Sequence, residues 1–323
     1  MIIAVNGGQG RSLPFYGRAG YHSRMNQQLR GIFALVIVVL VWGTTFPAMK
    51  DLTTTFSPVW IILTRFAIAA VLLSPFLWRA KRSDLQSGML MGVVLFFCYL
   101  FQVEGLALTS SNRNAFICGL NVLVVPLLGI LGGRLPERRI VVALALAVAG
   151  LTALCWDGGA WGRGDTLALL AAIAFGVYVK LMEIRTRAAV RLMSVTAAQI
   201  TTVGACAAVW LLAREAPSGA AMAGYWSGIG HNLAHYWPNF AYLGVLCTAT
   251  IISMQAWGQA RTTANEAAVI YSFEPGAAAC FGYVWLGEAM TGRGWLGAAL
   301  LISGMIVSQW NAESRPAAAL APE

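Results

Sequence analysis

Charged side chains are scarce in this sequence. Only 11% of its 323 residues are Asp, Glu, Lys or Arg, whereas 58% are hydrophobic. Soluble domains carry about 25% charged and about 45–50% apolar residues, and a water-soluble core cannot absorb such an excess. The composition therefore predicts an integral membrane protein.

Catalytic and metal-binding motifs are missing as well. The sequence has no HExxH, GxSxG or P-loop pattern, and no CxxC or CxxH pair. Its six cysteines stand singly within or beside apolar runs, as small buried hydrophobic side chains do. We therefore expect neither an enzyme nor a bound metal or other cofactor.

The basic residues are distributed as membrane topology requires. The net charge of +9 forms no stripe with interleaved aromatics, so it does not indicate nucleic-acid binding. Fifteen Lys and Arg residues fall in the two tails and in every second loop, which predicts that both termini are cytoplasmic. The alternate loops hold five, namely Lys50, Arg113, Arg163, Arg214 and Arg293.

Ten apolar runs are each roughly long enough to cross a bilayer. An even number places both termini on one side, in agreement with the loop charges. Residues 1–29 lack acidic residues and a signal-peptide core, so they are expected to form a disordered cytoplasmic tail, with Met25 as an alternative start. Residues 312–323 form the second tail. The runs cover about 31–50, 58–78, 86–106, 113–132, 140–156, 164–183, 192–213, 237–258, 266–286 and 294–311.

The two halves of the chain repeat each other. Residues 108–117 open the fourth run much as residues 261–270 open the ninth. Arg30-Gly31 and Arg163-Gly164 each precede an apolar run that reaches a second glycine, Gly43 or Gly176, at the same distance. Because a unit of five spans is odd-numbered, the second copy enters the membrane upside down. The sequence thus predicts an all-α polytopic protein of two inverted five-helix repeats, 30–157 and 158–311, with a site between them.

Few ionisable residues fall inside the apolar runs. A charge near the bilayer centre costs at least about 2.5–3.5 kcal/mol, so it normally faces a cavity or a partner. Glu274, one turn from Tyr271, is the best candidate for a polar anchor or a proton acceptor. A structural ion pair between the repeats, with Arg65 as partner, is the alternative. The other such residues are Glu104, Lys180 and, at a membrane boundary, Lys50.

Three prolines inside the runs predict interrupted helices. Each lacks an N–H and frees a carbonyl four residues earlier, which in a membrane needs a partner or a wet cavity. We expect Pro47, Pro126 and Pro275 to break helices beside the substrate path, with a simple packing kink as the alternative.

Aromatic and amide side chains share mid-span depths. An apolar cavity with a few hydrogen-bonding groups suits amino acids with apolar or aromatic side chains. The candidate substrate-binding residues are Trp42, Phe46, Tyr99, Asn114, Asn121, Tyr178, Gln255, Tyr271 and Glu274, and the candidate coupling or structural charges are Glu274, Lys50 and Arg65.

Several motifs along the chain belong to one known pattern, namely 42–46 with Lys50, Arg65, 105–110 with Asn114, 273–275 and 286–288. Over about residues 30–311 these motifs resemble the EamA branch of the drug/metabolite transporter superfamily. The resemblance implies ten helices, no ATP and export of small metabolites, and the chain looks most like the YddG-type exporters of aromatic and other amino acids. One departure is Leu-Pro-Glu at 135–137 in place of Leu-Gly-Glu, so the halves are expected to contribute different groups.

The expected function is therefore transport. We expect a secondary transporter that exports amino acids across the bacterial inner membrane by alternating access, either coupled to protons or by facilitated diffusion. The alternatives are a multidrug cation–proton antiporter, which would use Glu274, and a transporter of phosphorylated metabolites, which would need deep basic residues such as Arg65 and Lys180.

Overall fold

The structure is a computed structural model that describes residues 18–131, 138–156, 161–186, 191–215, 221–259, 261–262 and 270–309. These residues form helices joined by turns. The first half contains α1 (Arg18–Leu52), α2 (Pro58–Leu73), α3 (Arg82–Leu108), α4 (Ser111–Gly119), α5 (Asn121–Leu131) and α6 (Arg138–Trp156), with a 3₁₀ turn (Ser74–Phe76) after α2. The second half contains α7 (Arg163–Thr186), α8 (Leu192–Arg214), α9 (Ala221–His235), α10 (Trp237–Ala241), a π-helix (Tyr242–Thr250), α11 (Ile251–Gln259), α12 (Glu274–Leu286) and α13 (Gly292–Gln309).

Six helical stretches in the described part of the chain are long and apolar enough to cross a membrane. Large apolar side chains such as Val71, Val148 and Val284 also cover the outside of the bundle. A helix that is apolar on its outer face needs lipid rather than water around it. The chain is therefore an all-helical, polytopic membrane protein. The six stretches are Gln27–Leu52, Pro58–Phe76, Arg82–Leu108, Arg163–Met182, Leu192–Arg214 and Trp237–Gln255.

The first helix begins before the first apolar run. Helix α1 begins at Arg18, so residues 18–29 are helical, and the candidate membrane span within α1 starts at Gln27. Once a helix is nucleated by its apolar run, extension through good helix formers such as Gln and Arg costs little. Residues 1–17 and 310–323 lie outside the described residues.

Local sequence sets several helix boundaries. Helix α2 starts with Pro58 directly after Ser57, and a proline fits the first turn because its missing N–H has no helical partner there. Ser110 begins α4 by accepting a hydrogen bond from the backbone N–H of Arg113 at 3.2 Å. Gly287, at φ 68°, ends α12 in the left-handed conformation that glycine adopts readily.

Close contacts between the halves are reciprocal. Helix α1 of the first half packs on α11 and α12, whereas α7 of the second half packs on α3, α4 and α5. A Cβ atom built on Gly31 would lie 3.1 Å from the carbonyl oxygen of Gly258, and one built on Gly164 would lie 3.0 Å from that of Gly105. Gly43 and Gly176 are as far apart in the sequence as Gly31 and Gly164. Gly43 packs on Ala277, and Gly176 packs on Val124. Matching positions of the two halves thus make matching contacts.

The last helix of each half packs against the other. Gly150 of α6 faces the backbone of Leu301, and Gly297 of α13 faces the backbone of Leu154. Both approaches leave no room for a side chain, which is how small residues let membrane helices come close.

This packing predicts opposite effects for the same substitution at two glycines. A Cβ on Gly150 would lie 2.8 Å from two backbone atoms, whereas one on Gly228 of α9 would meet nothing within 4 Å. Gly150→Ala should therefore cost about 1–3 kcal/mol of stability through overpacking. Gly228→Ala should stabilise by roughly 0.5–1 kcal/mol, because alanine favours the helix. Melting temperatures of the detergent-solubilised variants test this, and equal shifts for both would contradict it.

Candidate functional site

Two helix interruptions meet inside the bundle. The fourth apolar run is interrupted at Leu120, between α4 and α5. Before α12 the chain makes a turn at Ser272 and Phe273, and the helix begins at Glu274. The interruptions touch, since a Cβ on Gly119 would lie 2.6 Å from Cγ of Pro275. We call this junction the paired helix break.

The prolines mark these interruptions only in part. Pro275 occupies the first turn of α12 and so lies beside the turn at Ser272 and Phe273. The prediction is wrong for Pro47, because α1 continues through it to Leu52, and for Pro126, because α5 runs through it. Membrane helices tolerate an internal proline where neighbouring groups satisfy the freed carbonyl, so the residue type alone does not locate a break.

Four of the predicted site residues lie at the paired helix break or beside it. The rings of Trp42 and Tyr271 stand 5.9 Å apart, tilted by 40°. Phe46 is buried with Ala115 and Ala278, one from each half. The half-buried Glu274 stands in the first turn of α12, where the helix dipole favours a negative charge. Aromatic faces and a carboxylate therefore come from α1 and from the segment that begins α12.

Arg65 lies at the middle of α2 and is fully buried. Its Nε donates to Oγ1 of Thr248 at 3.0 Å, and its NH1 donates to the sulfur of Met49 at 3.1 Å. The guanidinium lies 5.1 Å from the ring centroid of Tyr99 and 5.4 Å from that of Phe66. The expected alternative, an ion pair with Glu274, is not formed among the described residues.

Two predicted tyrosines belong to one aromatic wall. Tyr99 makes edge contacts with Phe66 and with Phe175, at centroid distances of 5.0 and 5.6 Å. Tyr178 accepts a hydrogen bond from Nε2 of Gln199 at 2.7 Å. Tyr99 thus lies beside the buried arginine.

The predicted amides do not form a common site. Nδ2 of the buried Asn114 donates to the carbonyl oxygen of Gln102 at 3.2 Å, so this amide ties α4 to α3. Asn121 starts α5, and its carbonyl oxygen lies where Gly176 approaches. Gln255 lies half-buried in α11. Of the amides, Asn114 serves helix packing.

Lys50 belongs to a helix end rather than to the site. Its Nζ donates to the carbonyl oxygens of Leu106, Ala107 and Thr109, at 2.9, 3.3 and 2.8 Å. These carbonyls end α3 and have no intrahelical partner, so the lysine caps the helix.

Charged side chains join the two halves near this helix end. The carboxylate of Glu288 accepts from the backbone N–H groups of Ser111 and Asn112, at 2.8 and 3.0 Å, and so caps α4. Asp165, in the first turn of α7, pairs with Arg113, whose Nε lies 2.7 Å from Oδ1 and whose NH2 donates to Oδ2 at 2.8 Å. Lys50, Arg113, Asp165 and Glu288 are called the polar cluster below.

The sequence interpretation missed Asp165 and Thr248. Asp165 carried a usable signal, because an acidic residue in the first turn of a helix is typical of a dipole-stabilising position. Thr248 carried none. It lies in a π-helix, whose i–5 hydrogen bonds leave no mark in the apolar pattern.

These features define a class, a polytopic membrane protein with interrupted helices that meet at its centre. The model of the EamA-like transporter family matches residues 29–156 and again residues 162–309. The chain therefore belongs to the EamA-like transporter family and is a membrane transporter. The resemblance of its motifs to that family is confirmed.

A curated relative agrees with this assignment, and a solved structure shares the fold. It is 27% identical over 287 residues to an uncharacterized transporter of Archaeoglobus fulgidus, which covers 87% of this chain and 86% of the relative. A protein of known crystal structure shares the fold with a TM-score of 0.58 at 19% identity, over 88% of this chain and 96% of the other.

The ion pair of the polar cluster should show strong coupling. Asp165→Asn and Arg113→Gln should each lower the free energy of unfolding by about 1–3 kcal/mol, because each leaves a largely buried charge without its counter-ion. The double variant should cost clearly less than the sum of the two. Melting curves of the four proteins measure the coupling, and additive effects would show that the pair contributes nothing.

Proposed function

We propose that this transporter exports amino acids, especially aromatic and other apolar ones, across the bacterial inner membrane by alternating access and without ATP. The observation that carries the proposal is the paired helix break, where an interruption from each half meets at Gly119 and Pro275. Interrupted helices at the centre of the bilayer are where secondary transporters bind substrate, because their free backbone groups can bond it.

The side chains around the break match such a substrate. The tilted rings of Trp42 and Tyr271 offer apolar faces to an aromatic or aliphatic side chain. The carboxylate of Glu274 can accept hydrogen bonds from an ammonium group. A site with apolar walls and few polar groups fixes the orientation of a small amphipathic molecule.

The proposed architecture is ten membrane helices in two inverted repeats, with both termini in the cytoplasm. The two family-model matches support a duplication, and the reciprocal glycine contacts support a two-fold relation between the copies. The excess of basic residues in the tails and alternate loops supports the orientation. In this arrangement the paired helix break brings together one interruption from each copy.

The same orientation places the polar cluster at the external end. Its basic members, Lys50 and Arg113, belong to the loops with few basic residues. The contacts of the cluster join α4 to α7 and to the turn after α12. We therefore assign the described conformation as closed to the outside, so that export requires these contacts to separate as the halves rock.

Among the alternatives, a cation–proton antiporter is favoured by one observation, the half-buried carboxylate of Glu274 next to aromatic rings. Transport of phosphorylated metabolites has less support. Lys180 is exposed on α7, so it does not join Arg65 in a basic pocket.

Counterflow in proteoliposomes tests the proposal. Purified protein is reconstituted with an internal pool of one substrate, and entry of labelled phenylalanine, leucine, a sugar phosphate or a lipophilic cation is followed. Saturable counterflow of the amino acids supports the proposal. Counterflow of the cation alone, and only with a pH gradient, would replace it with the antiporter.

Glu274→Gln tests the role of the carboxylate. Glutamine keeps the shape but cannot gain or lose a proton, so transport should fall about tenfold and its dependence on pH should flatten between about pH 5.5 and 8. Glu104→Gln in α3 is the matched control and should keep the wild-type profile. Parallel pH profiles for wild type and Glu274→Gln would exclude a coupling role.

A further inference from the structure

Arg65 is a deep charge without an anionic partner in the described part of the chain. It lies at the centre of α2, is 1% exposed, and bonds only to the hydroxyl of Thr248 and the sulfur of Met49 there. A guanidinium in the middle of a membrane normally pairs with an anion or serves a substrate path. The remaining N–H groups of Arg65 find no acceptor among the described residues.

A carboxylate would accept hydrogen bonds from Arg65 more strongly than its present acceptors do. A thioether is a weak acceptor, so the bond from NH1 to Met49 gives a guanidinium much less than a carboxylate would. The rings of Tyr99 and Phe66 lie within cation–π distance and stabilise the charge, but they use none of its N–H groups. The flexible Met49 side chain can move away when an anion arrives.

The π-helix holds the second group of this site in place. A Cβ built on Gly92 would lie 2.7 Å from the carbonyl oxygen of Gln199, and one built on Gly244 would lie 3.1 Å from that of Arg65, so the two glycines correspond. Gly105 and Gly258 correspond in the same way. Gly105 lies thirteen residues after Gly92, but Gly258 lies fourteen residues after Gly244. The extra residue is accommodated in the π-helix, a feature frequent at functional sites.

This helix fixes the hydroxyl of Thr248. Its Oγ1 donates to the carbonyl oxygen of Leu243 at 2.8 Å, so its lone pairs are left for Nε of Arg65. Thr250 makes the same type of bond, to Val245 at 2.9 Å, but its side chain is exposed on the outside of the bundle. Of these two threonines, only Thr248 therefore orients the guanidinium.

We infer that Arg65, oriented by Thr248, binds the carboxylate of the transported molecule while Glu274 receives its ammonium group. The inference rests on the proposed transport of amino acids and assigns the two charges of the zwitterion. Arg65 and Glu274 do not pair with each other among the described residues, so each charge is left for one end of a zwitterion. Binding requires the helices around Arg65 to separate, and the substrate carboxylate then replaces Met49.

Three related compounds test this assignment by counterflow. Phenylalanine carries both charges, phenethylamine lacks the carboxylate, and 3-phenylpropionate lacks the ammonium group. Thr248→Val should raise the half-saturation concentration about tenfold for phenylalanine and 3-phenylpropionate, since a poorly oriented guanidinium loses about one charge-assisted hydrogen bond. For phenethylamine the value should stay within about twofold. Thr250→Val, the matched control, should leave all three unchanged.

Arg65→Lys gives a second measurement, because lysine keeps the charge but loses the planar fork. Arg65→Lys should raise the half-saturation concentrations of phenylalanine and 3-phenylpropionate at least about tenfold and leave that of phenethylamine unchanged. Size-exclusion profiles and the melting temperature check that the variant is folded. If Arg65→Lys does not fold, Thr248→Val carries the test alone.

The outcomes separate this inference from the proposed function. Phenylalanine counterflow that Thr248→Val leaves unchanged, or weakens equally with phenethylamine, would overturn the inference and keep the function. Counterflow of 3-phenylpropionate but not phenylalanine, with the expected loss in Thr248→Val, would support the carboxylate site and reject amino-acid export. Counterflow of phenethylamine alone would reject both.

Discussion

A helix inside a bilayer can end only where something other than water completes its backbone hydrogen bonds. This chain meets that requirement at its centre by setting one interruption against another, so that Gly119 receives the ring of Pro275. The glycine leaves the space, and the proline sits in a first turn where no donor is missed. The two ends therefore contact each other inside the bundle, and Trp42, Phe46 and Glu274 lie at the break or beside it.

The bundle around this centre is held by contacts of two kinds. Backbone approaches at Gly31, Gly164 and Gly150 are close and have no polar component, so they tolerate sliding but not insertion of a side chain. The polar cluster is directional, because Asp165 and Glu288 each accept several hydrogen bonds in fixed geometry. The proposed alternating access would use both kinds of contact, because close apolar surfaces can slide and the hydrogen bonds of the polar cluster can break and re-form.

Much of the fold could be predicted from the sequence, because apolar runs and repeated glycines are local signals. The corresponding positions Gly43 and Gly176 indeed make corresponding contacts, and Glu274 and Trp42 lie near the paired helix break. Proline was a poor guide, since α1 absorbs Pro47 without a break. The partners of Arg65 and Asn114 could not be predicted, because they depend on helix register, and in the π-helix that register is shifted by one residue.

The extra residue in the π-helix also bears on the relative free energies of the inward- and outward-open states. Two interchangeable halves that swap shapes would give inward- and outward-open states of the same free energy. Here the residue that corresponds to Arg65 by its packing is Gln199, a neutral amide bonded to Tyr178. Under the proposed alternating access, a charge and an added residue in one half only would give the two states different free energies, so that the empty carrier would favour one of them. In the proposed binding mode, the substrate carboxylate neutralises Arg65 and so reduces the free-energy difference between the two states. The substrate itself would then set the turnover rate of the carrier.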